Sequence, residues 1–322
     1  MSLARLASIP SVPLGQLPTP VERMDRLREA LGGGPALFVK RDDAIPFAFG
    51  GNKLRKLPYV IAEALAEGAD TLITCGGIQS NHARATTAAA VKYGLAPVLV
   101  ANGVAPEKAS ANALLDQLMG AELHYVSSRE ARVPAMAMLA EGFRDAGRKP
   151  YIVPLGASTP LGALGYVRAV SELLEQGVRP DVIVHACSSG GTTAGLAAGC
   201  TLHGLHTRII GVSADDPAVQ VIEIVRRTVA GIGALLEVDG EDLARRAAVE
   251  VDDTQVGEGY GIPTERSREA QRLAARKEAI FVDHTYTAKA LGALIAWVRE
   301  ERFRANETVV FWHTGGQVGL FA

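Results

Sequence analysis

Eight short apolar runs, most of them rich in Val, Ile or Leu and without polar–apolar alternation, are spread along this chain. They cover residues 36–40, 71–75, 97–101, 122–126, 151–154, 182–186, 209–213 and 308–312. A strand with one wet face alternates, whereas a strand covered on both faces does not. Helical patterns at 83–93, 109–119, 161–175, 194–202 and 287–302 fall between the runs. Strand and helix in alternation predict an α/β fold with mainly parallel sheet. No repeat, low-complexity segment or floppy linker marks a boundary. The strand–helix units of residues 53–160 are expected to close a smaller domain, and residues 1–52 with 161–322 a larger one. A ligand between them would lie beyond the carboxyl ends of the strands.

Composition excludes several function classes. Of 322 residues 48% are hydrophobic but only 5% aromatic, so the core depends on close packing of small residues. A net charge of -2 gives no electrostatic basis for a nucleic-acid partner. Cys75, Cys187 and Cys200 lie in apolar or glycine-rich segments and read as buried, reduced thiols, in keeping with a cytoplasmic protein. The first 17 residues lack the apolar stretch of a secretory signal, and no apolar run reaches the ~18 residues of a membrane span.

The chemistry is carried by glycine-rich loops that follow strands. Ser188-Ser189-Gly190-Gly191-Thr192-Thr193 joins an apolar strand to a small-residue helix. Free N–H groups at such a helix start, with four hydroxyls around them, form a cradle for an anion such as phosphate. A tight turn that binds nothing explains the same residues equally well. Gly76-Gly77-Ile78-Gln79-Ser80-Asn81-His82 is a second strand-to-helix junction. It is either a carboxylate site rimmed by Ser80, Asn81 and His82, or simply a helix capped by Ser80 or Asn81. No His or Cys stands at metal spacing beside His82, so no metal is expected.

Phe49-Gly50-Gly51-Asn52-Lys53-Leu54-Arg55-Lys56 places a lysine at the start of a helical, apolar pattern. Most lysines are solvated. Lys53 differs because two glycines leave space beside it, and a desolvated lysine has a lowered pKa and can form a Schiff base. Loops around Tyr260, around Tyr286 and at His313-Thr314-Gly315-Gly316 add hydroxyls. One amine, a phosphate cradle, a carboxylate cradle and no metal set suit an aldehyde-bearing phosphate cofactor and an amino-acid substrate.

These motifs in this order resemble the fold type II pyridoxal-phosphate enzymes, in the D-cysteine desulfhydrase and 1-aminocyclopropane-1-carboxylate (ACC) deaminase branch. The similarity runs from Leu14-Gly15-Gln16-Leu17-Pro18-Thr19-Pro20 through Lys40-Arg41-Asp42-Asp43 and Gly50-Gly51-Asn52-Lys53-Leu54-Arg55-Lys56-Leu57 to His313-Thr314-Gly315-Gly316. It implies a tryptophan synthase β-like fold of two open, twisted, mainly parallel sheets, with pyridoxal 5'-phosphate as cofactor. It further implies that Lys53 holds the cofactor and moves the Cα proton, with Ser189, Gly190, Gly191 and Thr192 on the phosphate. Asn81 would meet the ring hydroxyl and Thr314 the pyridine nitrogen. Ser80, Asn81 and His82 would take the substrate carboxylate, with Tyr260, Tyr286 and Thr287 lining the substrate pocket. A homodimer is the expected assembly.

Two positions depart from the deaminases, which carry Glu and Leu where this chain has Thr287 and Thr314. Hydroxyls strengthen the electron sink less than a carboxylate. That favours β-elimination of a stable thiolate over opening of a cyclopropane. The expected reaction is D-cysteine to pyruvate, sulfide and ammonia, with L-cysteate sulfo-lyase and ACC deaminase as alternatives. A carrier or sensor of the cofactor is the non-enzymatic alternative. Pro58 is expected to kink the helix after Lys53.

Overall fold

The computed structural model describes residues 2–322. Its strands are β1 (Val21–Arg23), β2 (Ala36–Arg41), β3 (Thr71–Gly77), β4 (Ala96–Asn102), β5 (Glu122–Val126), β6 (Pro150–Ile152), β7 (Val182–Cys187), β8 (Arg208–Ser213), β9 (Val249–Asp252) and β10 (Thr308–His313). They form a six-stranded sheet, β1-β2-β10-β7-β8-β9, and a four-stranded sheet, β5-β4-β3-β6. Every pairing is parallel except β1 with β2.

All eight apolar runs of the sequence fall on strands. The two strands without a run, β1 and β9, are the edges of the larger sheet. An edge strand is covered on fewer sides, so Val21–Arg23 and Val249–Asp252 keep polar residues among the apolar ones. Strand β7, at the sheet's centre, is buried along its whole length. Its Val182, Val184 and Ala186 pack with Leu291 and Leu294 of the helix Thr287–Arg299. Ile183 faces the other way, onto Val170, Leu173 and Leu196. Helices cover both faces, which is why the strand shows no alternation. No described helix is long and apolar enough to cross a membrane.

The helix that begins at Lys53 (Lys53–Ala66) is fixed by two devices. The first is close packing against the helix Pro160–Glu175. A Cβ on Gly165 would lie 1.9 Å from the carbonyl oxygen of Arg55, so only glycine permits this approach. The second is a buried ionic cluster. Arg55 donates to Asp42 Oδ1 (2.8 Å), Thr19 Oγ1 (2.8 Å) and both oxygens of Glu172 (2.9 and 3.0 Å). Tyr166 and Trp312 donate to Asp42 Oδ2 at 2.6 and 2.7 Å. Burial alone would raise the Glu172 pKa, but the hydrogen bonds and charge of Arg55, with Lys40 behind it, pull it down to about 2. The helix runs on through Pro58 without a break, and the Pro58 carbonyl accepts from the Val12 N–H at 3.0 Å.

Candidate active site

The carboxyl ends of β3 and β7 open on one cavity of about 430 Å³, lined by loops from both sheets. Lys53 is the first residue of its helix and reaches this cavity. Its Nζ donates to Asn52 Oδ1 at 2.9 Å, and Asn52 Nδ2 donates to Thr192 Oγ1 at 3.0 Å. Lys53 is half-buried in the cavity wall. Burial, then the positive charge of Arg84, lowers its pKa to about 8. Arg84 itself donates to the carbonyls of Ala48 and Gly50, tying down the left-handed Ala48–Phe49–Gly50 turn that feeds into Lys53.

The loop after β7 has the shape expected for anion binding. Gly190 adopts φ +77°, and Gly191 starts a 12-residue helix whose first N–H groups are unpaired within it. A Cβ on Gly191 would lie 2.6 Å from Ser158 Oγ and fill the cradle. Ser189 Oγ lies 2.8 Å from Ser158 Oγ. Beneath them Lys56 Nζ donates to Ser158 Oγ and the Gly156 carbonyl, both at 3.2 Å. Lys56 is buried, with its pKa held well below the usual lysine range by burial and then by Lys53. Its partners are neutral oxygens. A buried amine without a carboxylate beside a ring of hydroxyls and free N–H groups matches a phosphate group.

At the other junction, Ser80 Oγ accepts the Ala83 N–H at 3.2 Å and caps the helix Asn81–Lys92. Asn81 Oδ1 accepts from Asn112 Nδ2 at 2.9 Å. His82 reaches the cavity wall, but its ring is engaged on both sides, by Thr74 Oγ1 (2.8 Å) and Thr86 Oγ1 (3.4 Å). Burial, and then Lys53 and Lys56, push its pKa well down, so the ring is neutral. Tyr260 and Tyr286 line the cavity with hydroxyls bonded to each other and rings edge to face, 5.7 Å apart. Thr314 also lines it.

Thr287 is a correction. It is absent from the cavity wall and fully buried. Its hydroxyl donates to Asp283 Oδ1 at 2.6 Å and accepts the Asp283 N–H at 2.9 Å. Asp283 Oδ2 in turn accepts the N–H groups of Thr285 and Tyr286. Thr287 thus shapes the turn that presents Tyr286 instead of meeting a substrate.

Asn52, Lys56, Ser158 and Arg84 were not singled out by sequence. Lys56 follows Lys53 by three residues, one helical turn, and that spacing was the available signal. Ser158 precedes Thr159 and Pro160, a helix-start pattern, and only the fold sets it against Ser189. The three cysteines are buried and free, and among the described residues no group of three or more His, Cys, Asp or Glu could hold a metal.

Residues 12–315 match the family model of the pyridoxal-phosphate dependent enzymes. The chain belongs to that family. This pyridoxal-phosphate enzyme is 38% identical to a D-cysteine desulfhydrase of Klebsiella pneumoniae (strain 342) over 331 residues, covering 100% of this chain and 98% of that one. It is 37% identical to a D-cysteine desulfhydrase of Serratia proteamaculans (strain 568), with 99% and 97% covered. The crystal structure of an ACC deaminase homologue superposes with a TM-score of 0.91 at 35% identity, covering 99% of this chain and 96% of that one. A threonine deaminase from Solanum lycopersicum shares the fold at 17% identity, with a TM-score of 0.70 over 98% of this chain and 83% of that one. The enzyme is therefore a fold type II member of the D-cysteine desulfhydrase and ACC deaminase family, and its cofactor is pyridoxal phosphate.

Proposed function

We propose that the enzyme eliminates the β-substituent of a small amino acid, D-cysteine to pyruvate, sulfide and ammonia. The observation that carries this reading is the chemistry of the turn after β10, which lines the same cavity as Lys53. Thr314, and no carboxylate, stands on the turn after β10, and the nearby Asp283 carboxylate is taken up by backbone N–H groups and Thr287. A hydroxyl in place of a carboxylate on that turn makes a weaker electron sink, which favours loss of a stable thiolate after Cα deprotonation over ring opening. The Klebsiella and Serratia relatives, D-cysteine desulfhydrases by name, support the same substrate.

When bound, pyridoxal phosphate supplies an aldehyde that condenses with amines and a ring that accepts the electron pair left at Cα. The remaining roles belong to the chain. Ser189, Gly190, Gly191 and Thr192, backed by Lys56 and Ser158, hold the phosphate. Asn81 holds the ring hydroxyl and Thr314 faces the ring nitrogen. Ser80 and the N–H groups at the start of the helix Asn81–Lys92 take the substrate carboxylate, helped by the positive end of the helix dipole. His82 supports that loop from behind. Lys53, with its pKa lowered to about 8, takes the Cα proton at Nζ. Tyr260 and Tyr286 flank the substrate and exclude water. The cleft lies between a smaller domain, residues 53–160, and a larger one, residues 1–52 with 161–322.

A pyruvate-release screen across D-cysteine, L-cysteate, D-serine, β-chloro-D-alanine and ACC tests the proposal. D-cysteine is expected to react fastest. Faster release from ACC, or cofactor binding with no turnover of any of the five, overturns it.

A further inference from the structure

The cavity mouth carries a cation that neither the cofactor site nor the substrate site uses. Arg129 follows β5, on the side of the four-stranded sheet, and lines the cavity. Its guanidinium pairs with Asp215, which follows β8 of the other sheet, and lies over the ring of Tyr260 at 4.9 Å. The Arg129 turn is itself braced, because Arg132 Nε donates to the Arg129 carbonyl at 2.9 Å. Across the cleft, Lys289 Nζ donates to the carbonyls of Val256 and Gly259, at 2.7 and 3.0 Å, and steadies the glycine-rich loop of Tyr260. That loop needs an outside hold, since Gly257, Gly259 and Gly261 give it backbone freedom.

We infer that Arg129 is a positioning residue that latches Tyr260 over the cavity mouth, tying the two sheets together while a substrate is held. The inference rests on the cavity being the substrate site. The charge of Arg129 favours the face of the Tyr260 ring, and Asp215 aims the guanidinium at it. Tyr260 then passes the constraint to Tyr286 through their shared hydroxyl bond. Arg129 and Asp215 are partly open to water, so salt weakens the latch.

The test is a double-variant cycle on the pyridoxal-phosphate-loaded enzyme, using Arg129→Gln, Tyr260→Leu and both together. KM is read on whichever of the five screened amino acids wild type turns over fastest. Arg129→Gln is expected to raise KM about three- to tenfold, the size of a cation–π contact, with Arg129→Lys recovering part of it. The double variant should match Tyr260→Leu alone. A second readout needs no substrate: hydroxylamine should strip the cofactor several times faster from Arg129→Gln than from wild type. If wild type turns over none of the five, the elimination proposal fails and the stripping rate alone judges the latch. Independent, multiplicative effects on KM, or an unchanged stripping rate, overturn the latch. A merely structural arginine would lower the melting temperature and move neither quantity.

Discussion

Lys56 Nζ stands 3.2 Å from Ser158 Oγ, itself 2.8 Å from Ser189 Oγ on the opposite loop. This contact joins the helix that carries Lys53 to the cradle after β7. It also leaves Lys56 buried among neutral oxygens, an arrangement that opposes folding until an anion arrives.

Lys56→Met should therefore separate stability from binding. Without cofactor the variant should melt at or above the wild-type temperature, because a buried amine with no carboxylate partner is replaced by an apolar chain of similar length. Its dissociation constant for pyridoxal phosphate should rise about ten- to a hundredfold, the worth of one charge-assisted hydrogen bond. Titration by cofactor absorbance and thermal melting of the same sample check both. A wild-type dissociation constant removes Lys56 from the phosphate site.

Lys53 gives a pH prediction whose sign follows from its lowered pKa. In the folded, cofactor-free protein the amine titrates at about 8, below the ~10.4 of a free lysine. Protonation of Lys53 thus opposes folding fully below pH 8, and the opposition fades as pH climbs toward the unfolded value. Lys53→Met should stabilise the cofactor-free protein most at pH 7, with the gain shrinking above pH 8. Covalent cofactor attachment to wild type, which needs the neutral amine, should accelerate up to about pH 8 and then level off. Denaturant melts and stopped-flow absorbance across pH 6–10 measure the two. A gain that is flat with pH would contradict the lowered pKa.

Ser80 can cap and bind at once. Its oxygen accepts the Ala83 N–H, which leaves its own proton to donate. Ser80→Ala should cost about 1 kcal/mol of stability through the lost cap and also raise KM roughly tenfold or more. Loss of stability with unchanged KM, for D-cysteine and L-cysteate alike, would reduce Ser80 to a cap.

Thr287→Glu tests the corrected position of Thr287. A second carboxylate there would be buried against Asp283, which already accepts four bonds from the 285–287 turn. The cost should be about 3–5 kcal/mol, enough to show in a denaturant melt, with partial recovery on adding Asp283→Asn. Undiminished stability would mean that Thr287 turns toward the cavity after all.

Sequence exposed this fold where burial was complete. Strands covered on both faces, such as 182–186, show as apolar-rich runs without polar–apolar alternation, whereas β1 and β9 at the sheet edges mix polar with apolar residues and are missed. Loops whose glycines permit close backbone approach were also legible, which is how Lys53, Ser80 and the 188–193 segment were found. Side-chain direction was not. Thr287 reads as a pocket residue until the turn rotates it onto Asp283. The cluster of Lys40, Asp42, Arg55 and Glu172 unites residues up to 132 positions apart, a separation that local patterns do not encode.

The place of β10 sets an order of events in the cell. Residues 308–313 are made after every other strand of the six-stranded sheet, yet they lie between β2 and β7, in its interior. The four-stranded sheet draws all its strands from residues 71–152 and can close while the ribosome is still at work. The larger sheet stays split until residues 308–313 have emerged, and with it the seat of Asp42, which Trp312 of β10 helps to hold. A chain ending before residue 308 would lose the middle of a sheet instead of its fringe, so the seat of Asp42 is complete only once β10 is in place.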